Sequence, residues 1–200
     1  MDKLYQQSQE SKIFTDLIKL IASPENIKLA YRNMKRNGGS VTPGTDGLTI
    51  KDIERWTENK LVRKIQGKLA WYKPKPVRRK EIPKPNGKMR PLEIPCLLDR
   101  IVQQCILQIL EPICEAKFHS YSNGFRPNRS AEQAIAQCAQ LVNMQKIYFV
   151  VDADIKGFFD NVDHCKLRQQ MWEMGIRDKK PLCIISEMLK APVSMPDGHV

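Results

Sequence analysis

The sequence has few of the residues from which metal centres and disulfide frameworks are built. Its three histidines are scattered, and none of its six cysteines belongs to a Cys-x-x-Cys pair. This spacing argues against a zinc site and a disulfide framework, and it is typical of reduced thiols in a cytosolic protein. We therefore predict a cytoplasmic location.

Long apolar runs are also missing. No run approaches the roughly 20 residues that a membrane-spanning helix requires. The opening segment Met1–Gln7 is polar and lacks the apolar core of a signal peptide. We therefore expect neither a membrane span nor a membrane partner.

Acidic residues are in the minority. The 200 residues include 33 Lys and Arg against 22 Asp and Glu, which gives a net charge of +11. Such an excess favours a polyanionic partner such as nucleic acid. The hydrophobic share of 42% permits a real core, and the length suits one domain or one and a part.

Much of the positive charge lies between Trp71 and Arg90, where eight cations face the single acid Glu81. Trp71 and Tyr72 lie at the edge of this stretch, as aromatic side chains often do where bases stack. A solvated basic linker would have the same composition, but Asn86-Gly87 is a turn signal that predicts a β-hairpin. We therefore predict a phosphate-binding hairpin. The cations assigned here to RNA binding are Lys73, Arg78, Arg79 and Lys80.

The turn leaves two registers open for this hairpin. A two-residue loop pairs Lys84 with Met89. A three-residue loop with a bulge pairs Lys84 with Arg90 and puts both cations on one face.

A second informative stretch begins at Ile147. The run Ile147–Val151 is short, apolar and rich in β-branched and aromatic residues, which predicts a buried strand. Strand alternation places Asp152 and Asp154 on one face at its end. Burying two carboxylates costs several kcal/mol unless they are compensated, and Mg²⁺ is a common compensation. Gly157 then permits a turn, and Phe158 follows it.

The Asp-x-Asp pattern alone is weak. It also fits a strand end that caps the next helix, and both nucleotide-sugar transferases and aspartyl-phosphate phosphatases use it after a strand. Upstream, Ser130 and Gln133 form a capping box that predicts a helix leading to this strand. Ile135 and Leu141 are expected on the core side of that helix.

Three ordered blocks are much more specific. They are Ile82-Pro-Lys-Pro-Asn-Gly-Lys-Met-Arg-Pro-Leu-Glu-Ile-Pro95 with Asp99-Arg-Ile-Val-Gln-Gln104, then Gly124-Phe-Arg-Pro-Asn-Arg-Ser130, then Asp154-Ile-Lys-Gly-Phe-Phe-Asp-Asn-Val-Asp-His164. In this order they resemble the group II intron-encoded reverse transcriptases, also called maturases. With the loop Pro43–Gly47, which lies near the template in that family, the resemblance extends from Pro43 to His164.

The resemblance implies an α+β fold: the fingers and the first part of the palm of a right-hand polymerase, helix-rich, with a fingers hairpin and one catalytic strand. It divides the chain into an N-terminal fingers extension (1–75), fingers and first palm helices (76–145), and a partial palm (146–200). The paired Asp-Asp of these polymerases is absent from the sequence. We therefore expect a fragment that ends before that motif and is inactive alone.

By resemblance, the activity is RNA-directed DNA polymerisation, in which a primer 3′-hydroxyl attacks the α-phosphate of a dNTP opposite an RNA template. Asp154 is implied as the catalytic ligand of two Mg²⁺ ions, with the Ile155 carbonyl bound to one of them. Lys84 and Arg90 are implied to hold the triphosphate, which favours the register that pairs them on one face. Phe158 is implied to pack under the deoxyribose. The implied partners are group II intron RNA, RNA template, DNA primer and dNTPs, and a homodimer is compatible with the sequence.

Some alternatives stay open at this stage. Arg126 suits either the nucleic-acid backbone or an internal ion pair. The chain also suits a splicing cofactor that clamps intron RNA without polymerising, because both functions share one protein in the maturases. A retron or CRISPR-associated reverse transcriptase is a third alternative.

Overall fold

The computed structural model describes residues 2–83, 85 and 87–195. Its helices are α1 (Asp2–Gln9), α2 (Leu17–Ile21), α3 (Pro24–Arg36), α4 (Ile50–Ile53), α5 (Glu58–Ala70), α6 (Leu97–Glu115), α7 (Ala131–Gln145), α8 (His164–Glu173) and α9 (Lys179–Leu189). Its strands are β1 (Val77–Pro83), β2 (Met89–Ile94) and β3 (Val193–Ser194). The predicted helix-rich α+β class is confirmed, whereas the division into fingers and palm stays a prediction.

Helix α6 lies at the centre of the core. It is apolar nearly all round, and Leu97, Ile101 and Ile113 are completely buried. Helices α1, α2, α3 and α5 all pack against it. The hydrophobic core therefore draws on residues from all three of the predicted segments, including Ile184 in α9.

Two buried amides join α3 to α6. Asn26 Nδ2 donates to the Cys105 carbonyl at 3.0 Å, and Gln108 Nε2 donates to Asn26 Oδ1 at 2.7 Å. Asn33 Nδ2 donates in turn to Gln108 Oε1 at 2.9 Å. Because buried polar groups are costly when unpaired, this network favours one alignment of the two helices.

The first and last parts of the described chain meet at Asp178. One oxygen of this buried carboxylate accepts the Lys180 N–H at 3.0 Å and caps α9. The other accepts the Ile18 N–H at 2.9 Å, in the first turn of α2. One side chain therefore caps two helices, whereas Asp16, the N-cap residue of α2, makes no side-chain cap of its own.

A short backbone pairing supports the same junction. The Phe14 N–H donates to the Gly175 carbonyl, and the Arg177 N–H donates to the Phe14 carbonyl, both at 2.9 Å. Gly175 has a φ of +98°, and a Cβ there would lie 2.9 Å from the Lys12 carbonyl oxygen. Glycine is therefore required where the chain turns from α8 towards α9.

The three strands form one small sheet in the order β2-β1-β3. Strands β1 and β2 are antiparallel, whereas β3 runs parallel to β1 through Val77–Val193 and Arg78–Ser194. Both faces of the outer part of the β1–β2 hairpin are largely exposed. The hairpin thus extends into solvent from a base that contacts the rest of the chain.

The predicted catalytic strand is wrong for this structure. Residues 147–155 form no regular secondary structure, and Phe149 and Val151 are 93% and 90% exposed. A strand needs a hydrogen-bonded neighbour, and none of the strands in the described ranges runs beside this segment. The apolar run therefore stays solvated.

The helix before this segment is only partly as predicted. Ser130 and Gln133 do form the capping box that begins α7. None of the residues of α7 is buried, however, and Ile135 is 68% exposed. Its apolar side therefore contributes nothing to the core described here.

Within the described residues, no helix combines the length and hydrophobicity that crossing a bilayer requires.

We expect Asp178→Ala to lower the free energy of unfolding by about 2 kcal/mol, since each lost cap costs about 1 kcal/mol. Asp178→Asn keeps one acceptor oxygen and should lose about half as much. Urea unfolding followed by circular dichroism measures both. Asp16→Ala is the matched control and should change stability little; equal losses for Asp16→Ala and Asp178→Ala would contradict the double cap.

Candidate nucleic-acid interface and catalytic segment

The hairpin adopts neither of the two predicted registers. Strand β1 pairs Ile82 with Arg90 and Pro83 with Met89, whereas the predicted registers placed Met89 or Arg90 opposite Lys84. Lys84 and Asn86 lie outside the described residues. The assignment of Lys84 and Arg90 to one triphosphate site therefore stays a prediction.

The prolines of the strands explain why the two-residue loop is not used. Proline has no N–H, so it suits pairs that exchange no backbone hydrogen bonds. In the observed register Pro83 pairs with Met89 and Pro91 pairs with Glu81, two positions apart. Both prolines can then occupy pairs of the non-hydrogen-bonded kind. A two-residue loop would place the two prolines in adjacent pairs of the ladder. Because hydrogen-bonded and non-hydrogen-bonded pairs alternate, one proline would then fall in a hydrogen-bonded pair and lose that hydrogen bond.

The observed register separates the charges of the hairpin. Residues that alternate along a strand and those opposite them share one face. One face, called here the cationic face, consists of Arg78, Lys80, Ile82, Arg90, Leu92 and Ile94. The other, called the mixed face, consists of Arg79, Glu81, Pro83, Met89, Pro91 and Glu93. Both acids of the two strands therefore lie on the mixed face.

The cations of the two faces differ in their partners. On the mixed face, Arg79 Nε donates to Glu81 at 3.2 Å, and Glu93 lies directly opposite Arg79. On the cationic face, Arg78, Lys80 and Arg90 form no ion pair with any acid of the described chain. Three cations are thus left available to an external anion.

Three consecutive residues fix the base of the hairpin, called here the root clamp. The Lys75 N–H donates to Asp99 Oδ2 at 3.4 Å, and the Pro76 carbonyl accepts the Thr45 hydroxyl at 2.8 Å. The Val77 N–H donates to the Pro192 carbonyl at 2.8 Å. Helix α6, the loop before α4 and the segment after α9 therefore each hold one residue of the clamp.

Asp99 is the most buried member of the clamp, at 2% exposure. Its Oδ1 lies 2.9 Å from Lys68 Nζ, and that ammonium lies 5.7 Å from the centre of the Tyr72 ring. Burial, followed by the charge of Asp99, raises the pKa of Tyr72 above its ordinary value. The carboxylate is thus paired in the interior, where an unpaired charge would be expensive.

Sequence reasoning missed the root clamp. In the sequence, Asp99 is only part of a block that carries the family resemblance, and no structural role is predicted for it. The available signal was an acid in the first turn of a helix that is otherwise apolar nearly all round.

The loop that contains Pro43–Gly47 is packed against the start of α6. Arg100 Nη1 donates to the Gly39 carbonyl at 2.9 Å, and its Nη2 donates to the Thr42 carbonyl at 2.6 Å. A Cβ on Gly44 would lie 2.6 Å from the Cys96 Cα. Glycine is therefore needed for this close approach, and the loop has a fixed place beside the hairpin base.

The predicted catalytic residues lie in a separate, exposed segment. Asp154 is exposed, and Ile155 and Phe158 are 67% and 52% exposed. Gly157 has a φ of +61° and makes the predicted turn, closed by Asn161 Nδ2, which donates to the Gly157 carbonyl at 2.8 Å. The segment therefore has a defined turn but no packed support.

The oxygen donors of this segment match the preference of Mg²⁺, but their number falls short. Mg²⁺ prefers near-octahedral oxygen ligands. Among the residues described, no group of three or more His, Cys, Asp or Glu side chains could hold a metal ion. The oxygens of Asp154 and of the Ile155 carbonyl suit Mg²⁺ in type, and their assignment as magnesium ligands stays a prediction.

The contacts of Arg126 favour an internal ion pair over contact with the nucleic-acid backbone. Its Nη2 lies 2.6 Å from Glu115 Oε1, and its Nη1 donates to the carbonyls of His119 and Ser122, both at 2.7 Å. Only 6% of its side chain is exposed, and the guanidinium lies 5.5 Å from the centre of the Phe118 ring. The hydrogen bond from Arg126 lowers the pKa of Glu115. A role in RNA binding stays a prediction that these contacts disfavour.

The sequence is similar to several curated proteins. It is 37% identical over 189 residues to the protein YkfC of Escherichia coli (strain K12), covering 92% of this chain and 48% of that protein. It is 35% identical over 195 residues to the group II intron-encoded protein LtrA of Lactococcus lactis subsp. cremoris, covering 96% of this chain and 32% of that protein. It is 34% identical over 179 residues to the putative COX1/OXI3 intron 2 protein of Saccharomyces cerevisiae, covering 90% of this chain and 20% of that protein. The chain thus spans half or less of the length of these relatives.

A family model matches more than half of the chain. The match covers residues 82–199, from the outer part of the hairpin through the Asp154 segment and α9. Together with the intron-encoded relatives, it confirms the predicted resemblance to group II intron proteins. The chain belongs to the reverse transcriptase (RNA-dependent DNA polymerase) family.

Proposed function

We propose that this chain is the RNA-binding and nucleotide-binding part of an RNA-directed DNA polymerase that also binds group II intron RNA as a maturase. The cationic face of the hairpin is the observation that carries the proposal. It presents three cations without acidic partners on a ribbon whose base is fixed. The family membership supports polymerase chemistry, and the intron-encoded relatives support the RNA partner.

The proposed division of labour follows the two exposed regions. The hairpin, as part of the fingers, contacts RNA through Lys73, Arg78 and Lys80 and holds the triphosphate through Lys84 and Arg90. The palm segment contributes Asp154 and the Ile155 carbonyl to the metal site, and Phe158 to the deoxyribose contact. RNA template, DNA primer and dNTPs are the proposed ligands, in the cytoplasm; a homodimer remains compatible with the sequence.

Two Mg²⁺ ions, when bound, would neutralise the triphosphate and stabilise the attacking and leaving oxygens. The residues of this chain contribute positioning and charge. The root clamp holds the hairpin in one orientation, so that its cations meet the phosphates without further ordering. Asp154 supplies one carboxylate as a metal ligand. The turn at Gly157 places Phe158 near Asp154 in the same short segment.

A splicing cofactor that binds intron RNA without polymerising is the second candidate. The favouring observation is the contrast between the two regions: the hairpin is supported at three points, whereas the Asp154 segment has no packed support. This contrast favours RNA binding as the activity of these 200 residues by themselves.

We expect the chain to bind structured RNA with an affinity that falls steeply as salt increases. Each phosphate contact contributes about −0.7 to −0.9 to the slope of log affinity against log salt. Replacing Arg78, Arg79, Lys80 and Lys84 by Gln should reduce the slope by up to roughly 3. Filter binding from low to moderate salt measures it.

The control replaces four exposed cations in α8, in α9 and at the C-cap of α9, and removes the same charge; they are Lys166, Arg168, Lys179 and Lys190. Its slope should stay closer to that of the unchanged chain. A flat salt dependence, or an equal loss in both variants, would contradict RNA binding by the hairpin.

We expect Arg126→Ala to act on stability and not on RNA binding. The variant loses a two-pronged contact with Glu115 and two carbonyl partners, at a cost of about 1–3 kcal/mol. Urea unfolding should show this loss, while the salt slope for RNA stays unchanged. A slope reduced by about one phosphate contact, with unchanged stability, would restore the RNA role of Arg126.

We expect no primer extension by the 200-residue chain alone, on an RNA template with dNTPs and Mg²⁺ or Mn²⁺. Mg²⁺ dehydrates reluctantly, and one carboxylate with one carbonyl is too few ligands to hold two ions. The Asp154→Asn variant is the control. Robust extension that Asp154→Asn abolishes would show that the site is complete; extension that survives the substitution would refute the catalytic role of Asp154.

A further inference from the structure

The residues from Lys146 to Lys156, called here the pairing segment, have backbone groups that are open to a partner. From Tyr148 to Lys156, no backbone N–H or carbonyl group forms a hydrogen bond with another described residue. The side chains are equally uncovered, since Tyr148 and Val150 are 71% and 82% exposed. β-Branched and aromatic residues of this kind favour a strand, and a strand completes its hydrogen bonds with a neighbour. The segment therefore offers an edge to a second strand.

In an extended conformation, the pairing segment would have two unlike faces. Successive side chains of a strand point to opposite sides. One face is wholly apolar and consists of Ile147, Phe149, Val151, Ala153 and Ile155. The other face is charged at both ends and consists of Lys146, Tyr148, Val150, Asp152, Asp154 and Lys156. A suitable partner strand therefore matches the apolar face and places a cation opposite an acid.

A second copy of the same segment meets both requirements in one register. When two copies run antiparallel with Val150 opposite Val150, Lys146 of each copy lies opposite Asp154 of the other. Directly opposite residues share a face, so the apolar faces also coincide. The cross-strand pairs on the apolar face are Phe149–Val151 and Ile147–Ala153. The register is thus two-fold symmetric and contains two opposite-charge pairs.

Other registers satisfy fewer of these requirements. A parallel pair in register places Asp152 and Asp154 each opposite its own copy, and like charges directly opposite are destabilising. A slip of one residue places Ile147 opposite Asp152 and mixes the two faces. An antiparallel pair centred on Phe149 joins Lys146 to Asp152 but leaves Asp154 beyond the paired residues. The charges therefore favour the register centred on Val150.

We propose that two copies of this chain associate by antiparallel β-pairing of the pairing segment, with Val150 facing Val150. The contact is isologous, as in most two-fold dimers. A two-stranded ribbon alone is only marginally stable, so its apolar face needs a second layer. Ile135 and Met144 lie in α7, the helix directly before the segment, and are exposed. They supply apolar surface for that layer.

This inference goes beyond the proposed function and does not depend on RNA binding. The dimer is measured without nucleic acid, so either proposal can fail while the other stands. The two are connected at Asp154, because its pairing with Lys146 would occupy the carboxylate that the proposed function assigns to a metal ion.

The first test locates the register by disulfide cross-linking of single-cysteine variants. The background replaces the exposed cysteines by Ser; they are Cys138, Cys165 and Cys183. Val150→Cys would face its own copy with the Cα atoms about 5 Å apart, within the range of a disulfide. The two Phe149 positions would be diagonal neighbours roughly 7–8 Å apart, which is too far. With diamide as the oxidant, Val150→Cys should form a covalent dimer and Phe149→Cys should form little. Equal or reversed yields would contradict the register, and no covalent dimer from either variant would contradict the association.

The second test measures the association by sedimentation velocity. The unchanged 200-residue chain should shift from monomer towards dimer as its concentration rises from low to high micromolar. Val150→Lys should stay monomeric, because it places two like charges directly opposite each other. Phe159→Lys is the matched control, since Phe159 is exposed and lies beyond the paired residues; it should associate as the unchanged chain does. Neither position belongs to the core, so circular dichroism should show the same thermal unfolding for both variants.

A charge exchange completes the test. Asp154→Lys turns both opposite-charge pairs into like-charge pairs and should weaken the dimer roughly tenfold. Adding Lys146→Asp to the same chain makes the pairs opposite again and should restore most of the lost affinity. The proposal is overturned if the unchanged chain is monomeric throughout, or if Val150→Lys and Phe159→Lys weaken the dimer equally. It is also overturned if the double variant associates no better than Asp154→Lys alone.

Discussion

The orientation of the hairpin depends on the root clamp, whose most buried member is the Asp99 carboxylate. Asp99 holds the Lys75 backbone at the root clamp and is itself neutralised by Lys68. Removing the carboxylate would leave an ammonium without its partner in a mostly buried place, which usually costs several kcal/mol. The outer strands have little packing of their own, so they take their direction from this point. The separation of charges between the two faces then determines which charged side chains the hairpin presents to solvent on each side.

The chain is unevenly supported along its length. From Phe14 to Ile113 the helices share one core, and α9 joins it through Ile184. Between residues 116 and 170 no side chain belongs to the buried core, although this stretch includes α7 and the Asp154 segment. The proposed nucleic-acid contacts of the hairpin need only a rigid base, whereas the proposed metal chemistry at Asp154 needs ligands held to within fractions of an ångström. The structure meets the first need better than the second.

Local signals predicted the elements well and their partners poorly. The Asn86-Gly87 turn signal and the capping box at Ser130 each act over a few residues, and the hairpin and α7 lie where they predict. The register depends on which pairs exchange hydrogen bonds, and the prolines decide this only once both strands are aligned. The strand predicted from Ile147 failed because burial depends on a neighbour that periodicity cannot supply. The internal partners of Arg126 were likewise invisible until α6 and the following loop came together.

The double cap at Asp178 also has a consequence for the order in which the chain folds. Its contact with Ile18 spans 160 residues, so closing it costs about 4–5 kcal/mol of chain entropy by the logarithmic loop estimate. During synthesis, α2 is made long before the carboxylate that caps its first turn. The first turn of α2 therefore stays without this cap until residue 178 has left the ribosome. A single side chain thus makes the last helix of the described chain a condition for the completion of one of the first.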